Sequence, residues 1–237
     1  RILDNEINKN NLSKNKKKKF NKNFIYFFNP SKKNSTKFSL TSNVIKEIQT
    51  LKVEQIINYL IHRYRYEIYP QKQIKDDYPP YLQIEPTSIC NYRCVFCYQT
   101  DISFSNKKNG FMGQMRLDLF KKIIDELENN IQSITFASRG EPTLSRNFSE
   151  MISYTKDKFL ATKLNTNGYS LNEKIINAIL DSNIQTIVFS IDSASEEEYK
   201  KFRVNGNFNK VLNIIKIYNI APGLDLHQML KELLMNR

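Results

Sequence analysis

An α/β fold built on a parallel sheet is what this chain predicts, and three observations predict it. From Pro80 onward, short apolar runs alternate with stretches of helical spacing, the pattern of strand–helix units joined by right-handed crossovers. Each strand-like run ends in a polar or glycine-bearing segment. All three cysteines, Cys90, Cys94 and Cys97, fall within eight positions directly after the first such run. Sites in parallel sheets form beyond the carboxyl ends of the strands, so these segments are expected to share one face.

Taken in order, residues 1–40 form a basic tail. Ten lysines and Arg1 stand there against Asp4 and Glu6, so +9 of the chain's +12 net charge belongs to it. Its lysines around Lys16–Lys19 are interleaved with aromatics, as in an arm that tracks phosphates. Lys, Asn, Ile, Phe, Tyr and Ser are enriched throughout, however, as translation of an AT-rich genome gives, and a Lys/Asn-rich stretch is ordinarily solvated and poorly ordered. Nucleic-acid binding is therefore disfavoured. Ile25–Phe28 is too short for the apolar core of a signal peptide. No apolar run reaches the roughly 18 residues of a membrane span, and the cysteine usage suits a reducing cytoplasm.

Residues 41–79 read as a helical extension. Val53, Ile56, Ile57, Leu60 and Ile61 share one face of a helix expected over Val44–Tyr66, capped by Ser42 or Asn43. Pro70, Pro79 and Pro80 are expected to break the chain before the main domain, residues 80–218. There Tyr81–Glu85, Ile131–Ala137, Leu160–Asn165 and Ile184–Ile191 read as strands. Leu117–Leu127, Phe148–Lys158, Asn172–Leu180 and Phe208–Tyr218 read as helices, with a short helix opened by a Ser195/Glu198 capping box. Within residues 219–237, Leu226, Met229, Leu230, Leu233 and Leu234 have helical spacing.

Three thiols in one short loop cannot build a disulfide framework, and they are read together as ligands of one metal centre. The Cys-x3-Cys-x2-Cys spacing can wrap three corners of a cubane [4Fe–4S] cluster and leave one iron without a protein ligand. The alternative is zinc, which wants four ligands; only His62 and His227 are available to complete it.

The loop, with Phe96 before its last cysteine, resembles that of the radical S-adenosylmethionine (SAM) enzymes. The resemblance implies a partial (β/α) TIM-like barrel and a [4Fe–4S] cluster on Cys90, Cys94 and Cys97. It also implies SAM chelated at the open iron, reductive cleavage to a 5′-deoxyadenosyl radical, and an electron donor such as flavodoxin or ferredoxin. Arg139-Gly140-Glu141-Pro142 is similar to the family's Gly-Gly-Glu-Pro turn, which implies that Gly140, Glu141 and Pro142 lie at the SAM ammonium. Arg139 departs from that pattern, and its guanidinium is expected to reach the SAM carboxylate or a substrate anion. Asn165 and Asn167 match an Asn-Thr-Asn-Gly that ends the third strand in relatives; Ser190 and Asp192 stand where relatives contact the SAM ribose or carboxylate. Asn167-Gly168 is equally an ordinary turn, Asp192 equally a helix cap, and Phe96 and Tyr98 equally core residues or shields of the cofactor. Asp192–Asn213 resembles the branch that often carries a C-terminal SPASM domain.

About four β/α units fit into the chain, where relatives build six, so a fragment or an otherwise incomplete barrel is expected. Three functions compete: a radical SAM enzyme or a piece of one, acting on a peptide or an envelope or sugar metabolite; a catalytically inactive remnant that binds a cluster; and a zinc-binding basic nucleic-acid module.

Overall fold

Four parallel strands, β1 (Leu82–Ile84), β2 (Ser133–Phe136), β3 (Ala161–Thr166) and β4 (Thr186–Phe189), pair in sequence order in the computed structural model, which describes residues 41–217. The expectations for the tail and for the helix within 219–237 lie outside the described residues. Alternation along the strands separates two faces. Ile84, Ile134, Phe136 and Leu164 point to the main core. Gln83, Thr135, Lys163 and Asn165 occupy the alternate positions. Three of the four strands are shorter at both ends than the apolar runs predict, because the ladder lasts only as long as neighbouring strands overlap; β1 contributes just three paired positions.

Three helices cover the apolar face: α4 (Leu117–Leu127), α5 (Phe148–Tyr154) and α6 (Glu173–Asp181). They bury Phe120 and Ile124, then Phe148, Met151 and Ile152, then Ile175, Ile176 and Ile179. Phe136 sits between Phe120 and Phe148, with ring centroids 5.9 and 5.7 Å apart, the second pair edge-on. Each such aromatic contact adds about 1 kcal/mol to the burial itself. Asn172 starts α6 by accepting the Ile175 N–H at 3.0 Å, a side-chain cap. Helix α5 ends four residues before the predicted Lys158, where the chain turns through Asp157 at positive φ.

The N-terminal extension forms two helices rather than one. α1 (Ser42–Gln49) is capped by Thr41, not by Ser42 or Asn43, and α2 spans Val53–Gln71. Between them Lys52 is extended, and its N–H is taken by the Gln55 side chain at 3.0 Å. Pro70 does not break α2 but lies inside its last turn. A proline there removes a single helical hydrogen bond, and the helix ends instead through Gln73 at a left-handed φ of 50°. A short helix α3 (Ile102–Ser105) follows the cysteine loop.

After β4 come α7 (Glu196–Phe202) and α8 (Phe208–Ile217). Ser195 caps α7 through the Glu198 N–H, but the return half of the expected capping box is indirect. The Ser195 N–H donates to Ser193 Oγ at 3.0 Å, and that hydroxyl donates to the Glu198 carboxylate at 2.7 Å. Tyr92, Ile191, Tyr199, Phe208, Val211 and Ile215 make a second core under the cysteine loop. The fold is thus a partial (β/α) barrel of four units with a helical N-terminal extension. Among the described residues, no helix is long and apolar enough to cross a membrane.

Candidate metal and cofactor site

The four strands deliver their following loops to one end of the sheet, and a cavity of about 370 Å³ opens there. It is bordered by Cys90, Cys94 and Cys97 from the loop after β1, by 137–141 after β2, by Asn165–Asn167 at the end of β3 and by Ser190 after β4.

Main-chain contacts fix the cysteine loop on two sides. The Glu141 N–H donates to the Ile89 carbonyl at 2.9 Å. A Cβ on Gly140 would stand 1.9 Å from the Thr87 carbonyl oxygen, so only glycine lets the two backbones approach this closely. On the other side, the N–H groups of Arg93 and Val95 donate to the carbonyls of Val204 and Phe202, at 2.9 and 3.0 Å. Buried Gln99 then ties the loop to the β2 turn, its amide donating to the Ser88 carbonyl at 2.8 Å and to that of Arg139.

Burial pushes the Cys90 and Cys94 thiols above their ordinary range, and for Cys94 the charge of Arg203 pulls the other way. The Tyr92 N–H lies 3.4 Å from Cys90 Sγ, and Arg203 Nη1 lies 3.5 Å from Cys94 Sγ. Arg203 is itself held by Asp192 and lies over the Phe96 ring, 5.2 Å from its centroid. Among the described residues, no group of three His, Cys, Asp or Glu side chains is placed to hold a metal ion. His62 is buried elsewhere, with Nδ1 donating to the Pro80 carbonyl at 2.9 Å. Three thiols bordering one cavity suit a cluster that takes one thiolate per iron.

Of the residues singled out from the sequence, Gly140, Glu141, Asn167, Ser190 and Phe96 border the cavity with the cysteines, whereas Pro142 and Asp192 do not. Pro142 is buried at the start of a 3-10 turn, and Asp192 stands behind Arg203 rather than capping α7. Glu141 is 3% exposed. Its Oε1 accepts from the Thr143 N–H at 3.2 Å and from the hydroxyls of Thr143 and Thr166, both at 2.6 Å; Oε2 accepts the Asn167 N–H at 2.7 Å. Burial pushes this carboxyl up while the four donors pull it down, and donors alone surround it, as an ionised carboxylate requires. Asn167 is also committed: its Nδ2 donates to Asn91 Oδ1 at 2.9 Å and its Oδ1 accepts the Tyr169 N–H at 3.0 Å.

Arg139 differs from expectation. Its guanidinium points to Glu85 at the end of β1, with contacts of 2.8 to 3.1 Å, and its own N–H donates to the same carboxylate at 2.9 Å. Arg139 borders the thiol cavity while its guanidinium is held by Glu85. The backbone irregularity that glycine would relieve falls one residue earlier, on Ser138 at φ 105°.

Two contributors had no site role in the sequence reading. Arg203 is visible there only as part of the stretch after the fourth strand, and nothing local announces that it reaches Cys94. Gln99 carries no motif signal at all.

A family model for the radical SAM superfamily matches residues 84–221. The cysteine-type anaerobic sulfatase-maturating enzyme of Clostridium novyi is 33% identical over 151 residues, 57% of this chain and 39% of the relative. The tungsten-containing aldehyde ferredoxin oxidoreductase cofactor-modifying protein of Pyrococcus furiosus is 32% identical over 114 residues, 47% of this chain and 30% of that one. The mycofactocin maturase MftC of Mycobacterium tuberculosis is 28% identical over 147 residues, 62% and 36% of the two chains. The chain thus spans less than half the length of these curated relatives. Among solved structures, Streptococcus suis SuiB bound to precursor peptide SuiA superposes with a TM-score of 0.50 at 16% identity, covering 86% of this chain and 43% of that one. With the thiol-lined cavity at the strand ends and a family match over more than half of its length, this chain belongs to the radical SAM superfamily of enzymes.

Proposed function

We propose that Cys90, Cys94 and Cys97 hold a [4Fe–4S] cluster whose fourth iron takes SAM, and that the enzyme modifies a peptide. When bound, that pair supplies a 5′-deoxyadenosyl radical for hydrogen abstraction, the chemistry common to the family. The protein's own residues do the positioning. Gly140 and Glu141 hold the β2 turn against the cysteine loop, and Asn167 and Ser190 complete the wall on which SAM would lie. Arg203 keeps a cation beside Cys94, which favours its thiolate form. Phe96 is 60% exposed at the rim, where it would shield the cofactor from water.

One observation carries this reading: three thiols share a cavity with the loops of all four strands. The peptide reading rests on relatives named as maturases and on the precursor-peptide complex of SuiB; an envelope or sugar metabolite is the other substrate class. Anaerobic reconstitution with iron and sulfide should give a broad brown absorbance and, with a reductant, SAM-dependent 5′-deoxyadenosine. Cys94→Ala should lose both. Iron uptake without 5′-deoxyadenosine would instead identify a cluster-binding remnant, and stoichiometric zinc without iron a zinc module.

A further inference from the structure

A second cavity, of about 260 Å³, lies on the sheet face opposite the main core, bordered by the N-terminal helices α1 and α2. Strand register builds its wall. Gln83 pairs with Thr135, Thr135 with Lys163 and Lys163 with Thr186, so one polar row crosses all four strands at a single level. Lys163 is its one charge. Lys163 is half-buried and makes no ion pair within 4 Å among the described residues. Glu47, the carboxylate bordering the cavity, is taken by the Tyr59 hydroxyl, and Arg63 is paired with Glu67 at 2.7 Å. Two buried polar atoms beside the cavity have no partner among the described residues: Asn165 Oδ1, an acceptor, and Arg63 Nε, a donor.

Asn165 borders both this cavity and the thiol cavity, so whatever fills the first lies next to the second. Unsatisfied buried polar groups are costly, and each calls for a partner. A ligand suited to this wall carries an anion for Lys163 and a hydrogen-bond donor for Asn165 Oδ1. The volume is on the order of nine waters, enough for one side chain and its main-chain amide.

We propose that this cavity binds an acidic residue of a peptide, with its carboxylate on Lys163 and a main-chain N–H on Asn165 Oδ1. This rests on the reading of the chain as a peptide-modifying enzyme and names the residue class that enters it.

The test uses the full 237-residue chain and two probe peptides, acetyl-Gly-Glu-Gly-amide and acetyl-Gly-Gln-Gly-amide, with binding followed by saturation-transfer NMR. The carboxylate peptide should bind about tenfold more tightly than its amide isostere, the discrimination of one partly buried charge pair. Lys163→Met should erase the difference and Lys163→Arg should keep it, with far-UV circular dichroism confirming that both variants fold. Equal binding of the two peptides, no binding of either, or a preference that survives in Lys163→Met would overturn the proposal. SAM cleavage by the reconstituted wild-type protein separates the two readings. A carboxylate preference without 5′-deoxyadenosine leaves this site standing and removes the enzymatic reading, whereas 5′-deoxyadenosine without the preference removes only this site.

Discussion

Glu141→Gln separates two roles for the glutamate of the Gly-Glu-Pro turn. In the folded chain its carboxylate receives four hydrogen bonds, three on one oxygen and one on the other. The substitution keeps the volume but puts an NH2 where an acceptor is needed. Whichever way the amide is turned, at least one buried donor, the Asn167 N–H or the Thr143 and Thr166 group, faces another donor. Losing one charge-assisted bond and stranding its donor costs roughly 2–3 kcal/mol, and the remaining bonds weaken when the acceptor becomes neutral. The expected loss is about 4 kcal/mol, a large part of the 5–15 kcal/mol that holds an ordinary domain. With a urea slope of roughly 2 kcal/mol per M, the unfolding midpoint of the iron-free protein should fall by about 2 M with the slope unchanged. The assay is equilibrium urea unfolding by circular dichroism without iron or SAM. An unchanged midpoint, together with weaker SAM binding after reconstitution, would refute the structural role and return Glu141 to the ligand role that the motif resemblance implies.

The other expectations concern single positions. Gly140→Ala brings a methyl group to 1.9 Å from the Thr87 carbonyl oxygen and should cost about 3 kcal/mol, with iron content after reconstitution falling as the cysteine loop is pushed away. Ser138→Gly relieves a φ of 105° at an exposed side chain; after the extra chain entropy of glycine it should stabilise by about 1 kcal/mol, seen as a raised urea midpoint. Burial lowers the pKa of His62 to about 4, against about 6.5 in an unfolded chain. The folded state therefore prefers the neutral ring, so this contribution is complete above about pH 6.5 and is lost as pH falls towards 4, by about 2 kcal/mol at pH 5. His62→Asn, which keeps a donor for the Pro80 carbonyl, should lower the midpoint at neutral pH but flatten its decline between pH 7.5 and 5; an unchanged decline would place the titration elsewhere.

What was legible in the sequence was local or repeated. Leu117–Leu127 is bounded as its amphipathic stripe predicts, since the buried Phe120 and Ile124 recur at helical spacing. The strand order follows from alternation of elements, and the thiols from their own spacing. Illegible features depended on partners far along the chain. Arg139 looks like a spare cation beside a turn until Glu85, 54 positions away, is brought against it. Arg203 reaches Cys94 across 109 positions. The polar row of Gln83, Thr135, Lys163 and Thr186 needs the strand register, which no single strand reveals. Pro70 misled for a different reason: the breaker rule describes helix interiors, and its effect shrinks to one hydrogen bond in a last turn.

These long-range contacts form a continuous series across the strand ends. The Ile89 carbonyl in the cysteine loop takes the Glu141 N–H, the Glu141 carboxylate takes groups of Thr166 and Asn167, and the Thr166 carbonyl takes the Ser190 N–H at 2.8 Å. Each link joins the end of one strand to that of the next, so the chain's own hydrogen bonds tie together the wall beside the thiols. On the proposed function, a wall tied in this way would hold the reacting groups in place, where displacements of about 1 Å cost rates of about 10²-fold. It also explains why the motif tolerates arginine at its first position. The link runs through the N–H and carboxylate of Glu141 and the missing Cβ of Gly140, while the Arg139 side chain pairs with Glu85 and leaves the series intact.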